Sequence, residues 1–295
     1  EIYTLSLHDA LPICITDNPS IVPLAAQKGL TVTAGAWISV DEEANRREVD
    51  ALIETARKYR NVNRVMVGNE VLLRGDLKVD QLIAHLDTAR KALRRQKTPV
   101  STAEPWHVWL KYPELADHVD YIAVHLLPYH EGVPVEEAVK YAFIRYDELL
   151  KTFPGKKIVI GEIGWPSNGP SIASMGAERT TSEASMENAA RFIREFLAHP
   201  RTSSLDYFIM EAIDQPWKIE VEGWAGAYWG IFNAERQQKF PLDGLIYPDI
   251  RWQQKALTGA AIAFIPMMLI AFFLKEWSIA GRVWLMALVQ ACCAT

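Results

Sequence analysis

The chain has 295 residues, a formal net charge of -5 and a sequence pI near 5.9. That length suits one large domain with something small attached, and the mild acidity argues against a nucleic-acid partner, since such proteins usually carry a basic face. The three cysteines, Cys14, Cys292 and Cys293, leave the central part without an internal disulfide framework.

At the start, Glu1–Ile13 has neither a basic leader region nor a small-residue cleavage site. It matches the translation of a common short-read sequencing adapter. Residues 1–13 are therefore expected to be an assembly artefact, with the native start of the gene lost. The main domain is expected over 14–250.

Within it, short apolar runs alternate with amphipathic helices. Candidate strands are Leu30–Trp37, Val62–Val67, Pro99–Ala103, Val119–His125, Lys157–Gly161 and Leu205–Met210. They are brief and rich in branched residues, as buried parallel strands should be. Helical spacing i, i+3, i+4, i+7 appears at Val49, Leu52, Ile53 and Ala56, at Val79, Leu82, Ile83 and Leu86, and at Ala189, Phe192, Ile193 and Phe196. At the far end, Ala256–Leu274 carries no charge. Nineteen residues at about 1.5 Å each approach the ~30 Å hydrocarbon core of a bilayer. A transmembrane helix is expected over 256–274, and the start of a second, truncated one over 283–295. Lys275 and Arg282 between them favour a cytoplasmic loop. That would place the large domain in the periplasm, on the outer side of a bacterial inner membrane.

Alternating β and α units imply a parallel sheet, open or closed. A closed (β/α)8 barrel is favoured by what ends each strand: Trp37, Glu70, Glu104, His125, Glu162 and Glu211. Barrel enzymes place their active sites at that C-terminal face. No dinucleotide fingerprint and no phosphate-binding loop of the Walker type occurs. Six visible strands make the barrel N-terminally truncated, its first one to two strands expected to precede Cys14.

Any one glutamate on a loop is usually solvated surface. Several converging on one face cost free energy to bury, and such sites are normally built for chemistry. Glycosidic cleavage fits, since it needs one carboxylic acid to protonate the leaving oxygen and a second carboxylate in a different environment.

Val67-Gly68-Asn69-Glu70 resembles the Asn-Glu strand end of clan-A glycoside hydrolases, and Gly161-Glu162-Ile163-Gly164-Trp165-Pro166-Ser167 resembles the nucleophile motif of glycoside hydrolase family 17, the β-1,3-glucanase family. With VGNEVLLRGDL, STAEPWHVW, AVHLLPYHEG and EAIDQPWK, the chain from about Asn18 to Phe240 is similar to a membrane-associated bacterial branch of that family. The resemblance implies Glu70 as general acid/base and Glu162 as the nucleophile that forms a glycosyl-enzyme. It also implies Asn69 on the sugar 2-hydroxyl and Tyr129 donating to the nucleophile. Trp165 and Trp217 would stack on sugars, and Glu104, His125, Glu211, Asp214 and Lys218 would bind hydroxyls. No cofactor is implied. The substrate would be β-1,3-glucan, cleaved or transferred with retention, and a neighbouring glucan synthase module is a candidate partner. His130 stands where resembling sequences usually carry Trp, which replaces a stacking surface with a smaller polar ring.

Two other readings stand beside this one. His107, His125 and His130 with Glu104 could serve a metal-dependent barrel hydrolase, though closely spaced zinc-type His pairs are missing. A non-catalytic β-glucan-binding module would have no use for a pair of catalytic glutamates.

Overall fold

The computed structural model describes residues 16, 19–173, 180–244, 252–273 and 277–293. The expected artefact over 1–13 lies outside them. The chain divides into two units, Glu1–Gly244 and Leu245–Thr295.

In the first unit, after a short helix α1 (Ile21–Gln27), strands and helices alternate: β1 (Val32–Ala36), α2 (Glu42–Lys58), β2 (Val62–Asn69), α3 (Val71–Arg74), α4 (Val79–Leu93), β3 (Val100–Pro105), α5 (Trp106–Lys111), β4 (Tyr121–Leu126), α6 (Val135–Thr152) and β5 (Lys157–Ile163). A two-residue hairpin, β6 (Ile172–Ala173) with β7 (Thr181–Ser182), precedes α7 (Met186–Ala198), β8 (Asp206–Ile209) and α8 (Ile219–Gly226). The six long strands form one parallel sheet in chain order, β1-β2-β3-β4-β5-β8. This is an open arc of a (β/α) barrel rather than the closed eight-stranded ring; among the described residues β1 and β8 are its two edges.

Local chemistry explains the elements. Asp41 caps α2 by accepting from the backbone N–H of Glu43 and Ala44, and Ser185 caps α7 from Asn188. The acidic pair Glu42 and Glu43 opens α2 and Arg57 and Lys58 close it, in the sense that the helix dipole favours. Val49, Leu52, Ile53 and Ala56 of α2, and Ala189, Phe192, Ile193 and Phe196 of α7, are all buried. In α4 the seam is narrower: Leu82 and Leu86 are buried, whereas Val79 and Ile83 are half-buried. Inside the arc, Met66, Ala103, Tyr121, Ala123, Val159 and Phe208 form one core cluster, contributed by β2, β3, β4, β5 and β8. Tyr121 belongs there because its hydroxyl donates to the Val65 carbonyl, 3.1 Å away.

The second unit is a helix pair, α9 (Trp252–Phe273), with Pro266 inside it, and α10 (Ile279–Cys293). Among the described residues no helix is long and apolar enough to cross a membrane. α9 and α10 cover most of the spans expected over 256–274 and 283–295, and neither has support for crossing a bilayer.

Candidate active site

The C-terminal ends of the strands open into a cavity of about 660 Å³. Its wall takes Trp37 after β1, Asn69 and Glu70 at β2, His107 after β3, His125, His130 and Glu131 from the β4 end, Glu162 from β5, and Lys218, Glu222 and Trp229 from the segment after β8.

Glu70 is aimed by its backbone. Gly68 takes φ 84°, and a Cβ there would stand 2.4 Å from Val71 Cγ2. Glu70 itself sits in the left-handed region at φ 56°, ψ 29°, and its N–H is fixed to the Ala103 carbonyl at 2.8 Å. A non-glycine residue held there costs on the order of 1–3 kcal/mol, strain that tends to persist at functional positions. Glu162, near the end of β5, stands beside His125 in the β4–β5 ladder.

The imidazole of His125 joins the two glutamates. Its Nδ1 lies 3.3 Å from Glu70 Oε1 and 3.2 Å from Glu162 Oε2, and the ring is 2% exposed. Burial alone would lower the histidine pKa, but the charges of Glu162, Glu70 and Glu104 overcome it and raise it to about 9, so the ring is a cation at neutral pH. Burial pushes the Glu70 carboxyl up. The hydrogen bond and charge of His125, with the charges of His130 and Arg74, more than offset this and hold it below the ordinary range. For Glu162 burial wins: its carboxyl is pushed up, with the His125 charge opposing.

Several residues expected in the sugar site are placed elsewhere. Trp165 is 1% exposed, donates its indole N–H to the Glu183 carbonyl at 2.9 Å, and packs on Tyr129 and Phe192. Tyr129 is fully buried, and its hydroxyl donates to the Pro170 carbonyl rather than to the nucleophile candidate. Glu104 is buried behind the cavity wall, where it accepts the N–H of Leu72 at 2.8 Å and of Leu73 at 3.3 Å and so caps α3; burial raises its pKa to about 7. Glu211, 1% exposed, accepts from Lys218 at 3.2 Å and from Gln215, and burial raises it to about 8. Asp214 pairs with buried Lys239. Trp217 is 57% exposed, outside the cavity wall. Trp37 and Trp229 line the cavity instead.

Two cavity carboxylates were not anticipated. Glu131 sat unremarked inside the quoted motif AVHLLPYHEG; Trp106 Nε1 holds it at 3.0 Å and the Tyr141 hydroxyl at 2.5 Å. Glu222 lies on α8, where no strand-end pattern could point to it. His107, His125, His130 and Glu104 do not form a ligand set: among the described residues no group of three His, Cys, Asp or Glu side chains is placed to hold a metal ion.

Known proteins give this geometry a context. A probable glucan endo-1,3-beta-glucosidase btgC from Aspergillus clavatus is 29% identical over 242 residues, covering 75% of this chain and 34% of that protein. A glucan 1,3-beta-glucosidase from Arthroderma benhamiae is also 29% identical, covering 76% of this chain and 75% of its relative. The chain thus spans about a third of the length of the btgC relatives. Among solved structures, a glycoside hydrolase family 17 beta-1,3-glucanosyltransferase from Rhizomucor miehei shares the fold, with a TM-score of 0.67 at 24% identity over 80% of this chain and 84% of that one. An active-site mutant of that enzyme in complex with laminaritriose superposes with a TM-score of 0.64 at 24% identity, over 75% and 79% of the two chains. Residues 15–230 match the family model for the BtgE/BtgC glycoside hydrolase domain, and the chain belongs to that family.

Proposed function

We propose that this domain cleaves or transfers β-1,3-glucan with retention, Glu70 acting as general acid/base and Glu162 as nucleophile. The observation that carries the proposal is the contact of both glutamates with one imidazole nitrogen on the cavity wall. Those two contacts cap the separation of the oxygens concerned at the bottom of the range used by inverting enzymes, about 6.5–9.5 Å, and leave room for the retaining spacing of about 5–5.5 Å. The names of the fungal relatives support the substrate class.

In the first step a Glu162 oxygen attacks the anomeric carbon. The electrons of the glycosidic bond go to the leaving oxygen, which takes the proton of Glu70. In the second, water or a sugar hydroxyl attacks the same carbon and gives its proton to Glu70, while the bond from that carbon to Glu162 breaks and Glu162 leaves as a carboxylate. Catalysis needs the proton on Glu70 and Glu162 ionised. The Glu70 side chain is 27% exposed against 10% for Glu162, so a bound sugar strips more water from Glu70 and raises its pKa more. Asn69, beside Glu70 on the wall, would bind the 2-hydroxyl, and Trp37 would offer a stacking face.

The finer setting belongs to the same proposal. The charge-free stretch 256–274 would anchor a bacterial enzyme to the inner membrane with its catalytic domain in the periplasm, beside a glucan synthase module, and such a setting favours transfer over foraging. Incubation of the protein with a reduced-end-labelled β-1,3-gluco-oligosaccharide tests the activity. Products longer than the substrate, absent with Glu162→Gln, mean transfer, and only shorter ones mean hydrolysis. No turnover of any β-1,3-glucan would overturn the proposal. Release of the full chain from membranes by alkaline carbonate would remove the anchor.

A further inference from the structure

The double-displacement reading assigns two glutamates and leaves His125 without a task. We infer that His125 is a positioning residue that couples the two halves of that reaction: its charged ring, hydrogen-bonded to Glu70 through Nδ1 and 3.2 Å from Glu162, stabilises negative charge on either glutamate as that charge moves between them. The inference rests on the retaining mechanism proposed above.

His125, the penultimate residue of β4, follows a register shift and lies between β3 and β5. The imidazole lies on the backbone of Gly161, where a Cβ would stand 3.1 Å from Cδ2 and 3.3 Å from Nε2. Any side chain at 161 would push the ring, so the glycine preceding Glu162 reads as a seat for it. At 2% exposure the ring has little room to swing out.

The chemistry then fits the two distances. On forming the glycosyl-enzyme, Glu162 changes from carboxylate to ester and Glu70 changes from acid to carboxylate. One unit of negative charge leaves the first and appears on the second. A cation whose Nδ1 is hydrogen-bonded to Glu70 at 3.3 Å and lies 3.2 Å from Glu162 can stabilise the charge on either carboxylate from one seat. Such preorganisation lowers the cost of charge redistribution in the transition state. In the second half-reaction the charge returns to Glu162, still 3.2 Å from the same ring.

The surroundings keep the donor charged. Glu70 on β2, Glu104 on β3 and Glu162 on β5 all act on the ring and together outweigh its burial. Further out, Arg74 and His130 act on Glu70, and Lys218 and Glu222 act on Glu162. A packed, neutral core histidine would not need three carboxylates around it.

His125→Gln keeps a polar side chain and removes the cation. Its kcat on a β-1,3-gluco-oligosaccharide should fall by about 10²-fold or more, the loss typical of one preorganised donor, with KM changed less. Both limbs of the kcat/KM pH profile should move to higher pH, because a lost cation raises the pKa of both carboxyls. A rate loss with unmoved limbs would make His125 merely structural and overturn the inference, as would an unchanged rate. Gly161→Ala, which displaces the ring without touching it chemically, should shift the same limbs in the same direction and serves if His125→Gln does not fold. Independently of turnover, 15N NMR of the histidines in the full chain should show His125 titrating above pH 8. Its pKa should fall by about one unit or more in each of Glu70→Gln and Glu162→Gln. Dependence on only one of the two glutamates would also overturn the inference. Failure of the wild type to turn over any glucan would instead remove the proposed function, and the NMR result alone would then decide the coupling.

Discussion

Lys239 Nζ lies 2.7 Å from Asp214 Oδ1, and both side chains are buried. The carboxylate also accepts the Gly230 N–H at 2.9 Å, and the ammonium donates to the Tyr228 carbonyl at 3.2 Å. The pair therefore ties the loop after β8 to the segment that carries Trp229 into the cavity. Lys239→Met should leave a buried carboxylate uncompensated and cost about 3–5 kcal/mol of stability. Asp214→Asn with Lys239→Met keeps the acceptor for Gly230 and should recover most of that loss. Chemical denaturation of the three proteins checks this; a double variant as unstable as the single one would show that the pairing is not the source of the effect.

Stability should also fall as pH rises. Burial raises Glu104 from 4.5 to about 7 and Glu211 from 4.5 to about 8. Between those values the unfolded chain has released protons that the folded chain still holds, so unfolding is favoured progressively from about pH 4.5 to 8. Glu104→Gln should flatten the part of the slope below pH 7, an effect on the order of 3 kcal/mol across that window. Thermal midpoints measured from pH 4 to 9 give the slope, and a Glu104→Gln curve parallel to the wild type would refute the assignment.

The two groups of tryptophans should separate cleanly. Trp165→Ala removes a buried ring and should cost about 3–5 kcal/mol. Trp37 faces the cavity with the Arg74 guanidinium 4.0 Å over its ring. Trp37→Ala should raise KM for oligosaccharides several-fold while the unfolding midpoint moves little, which paired kinetic and unfolding measurements would resolve.

Glu131 is held from outside the cavity. Trp106 and the Tyr141 hydroxyl both donate to it, and the Arg145 guanidinium stacks 4.1 Å over the Trp106 ring. Tyr141→Phe removes one donor and should weaken oligosaccharide binding about fivefold, the worth of roughly one hydrogen bond near 1 kcal/mol, with kcat nearly unchanged. Glu131→Ala should do the same more strongly. An equal fall in kcat for both would place Glu131 in the chemical step instead.

The strands were legible because buried parallel strands are apolar on both faces, and all six lie within a few residues of their expected bounds. Glu70 and Glu162 were legible because strand ends fix which groups face the cavity. What stayed hidden depends on partners remote in sequence. Glu104 also ends a strand, but its carboxylate turns back to the N–H groups opening α3. The Tyr129 hydroxyl is claimed by Pro170, and Asp214 by Lys239, 25 residues away. A motif places a residue at a strand end, but the loops decide which way its side chain turns. The hairpin of β6 and β7 likewise has no periodic signal, each strand being two residues long.

The seat of the His125 ring has an evolutionary consequence. Because a Cβ at 161 would stand 3.1 Å from the imidazole, a side chain there must shift the ring by a few tenths of an ångström, so positions 125 and 161 are coupled. A lineage that exchanges the histidine for a smaller residue loses the pressure for glycine at 161, whereas one that acquires a larger residue at 161 must move the ring. Among descendants of this domain the two positions should therefore change together, and a library randomising both should return histidine almost exclusively with glycine.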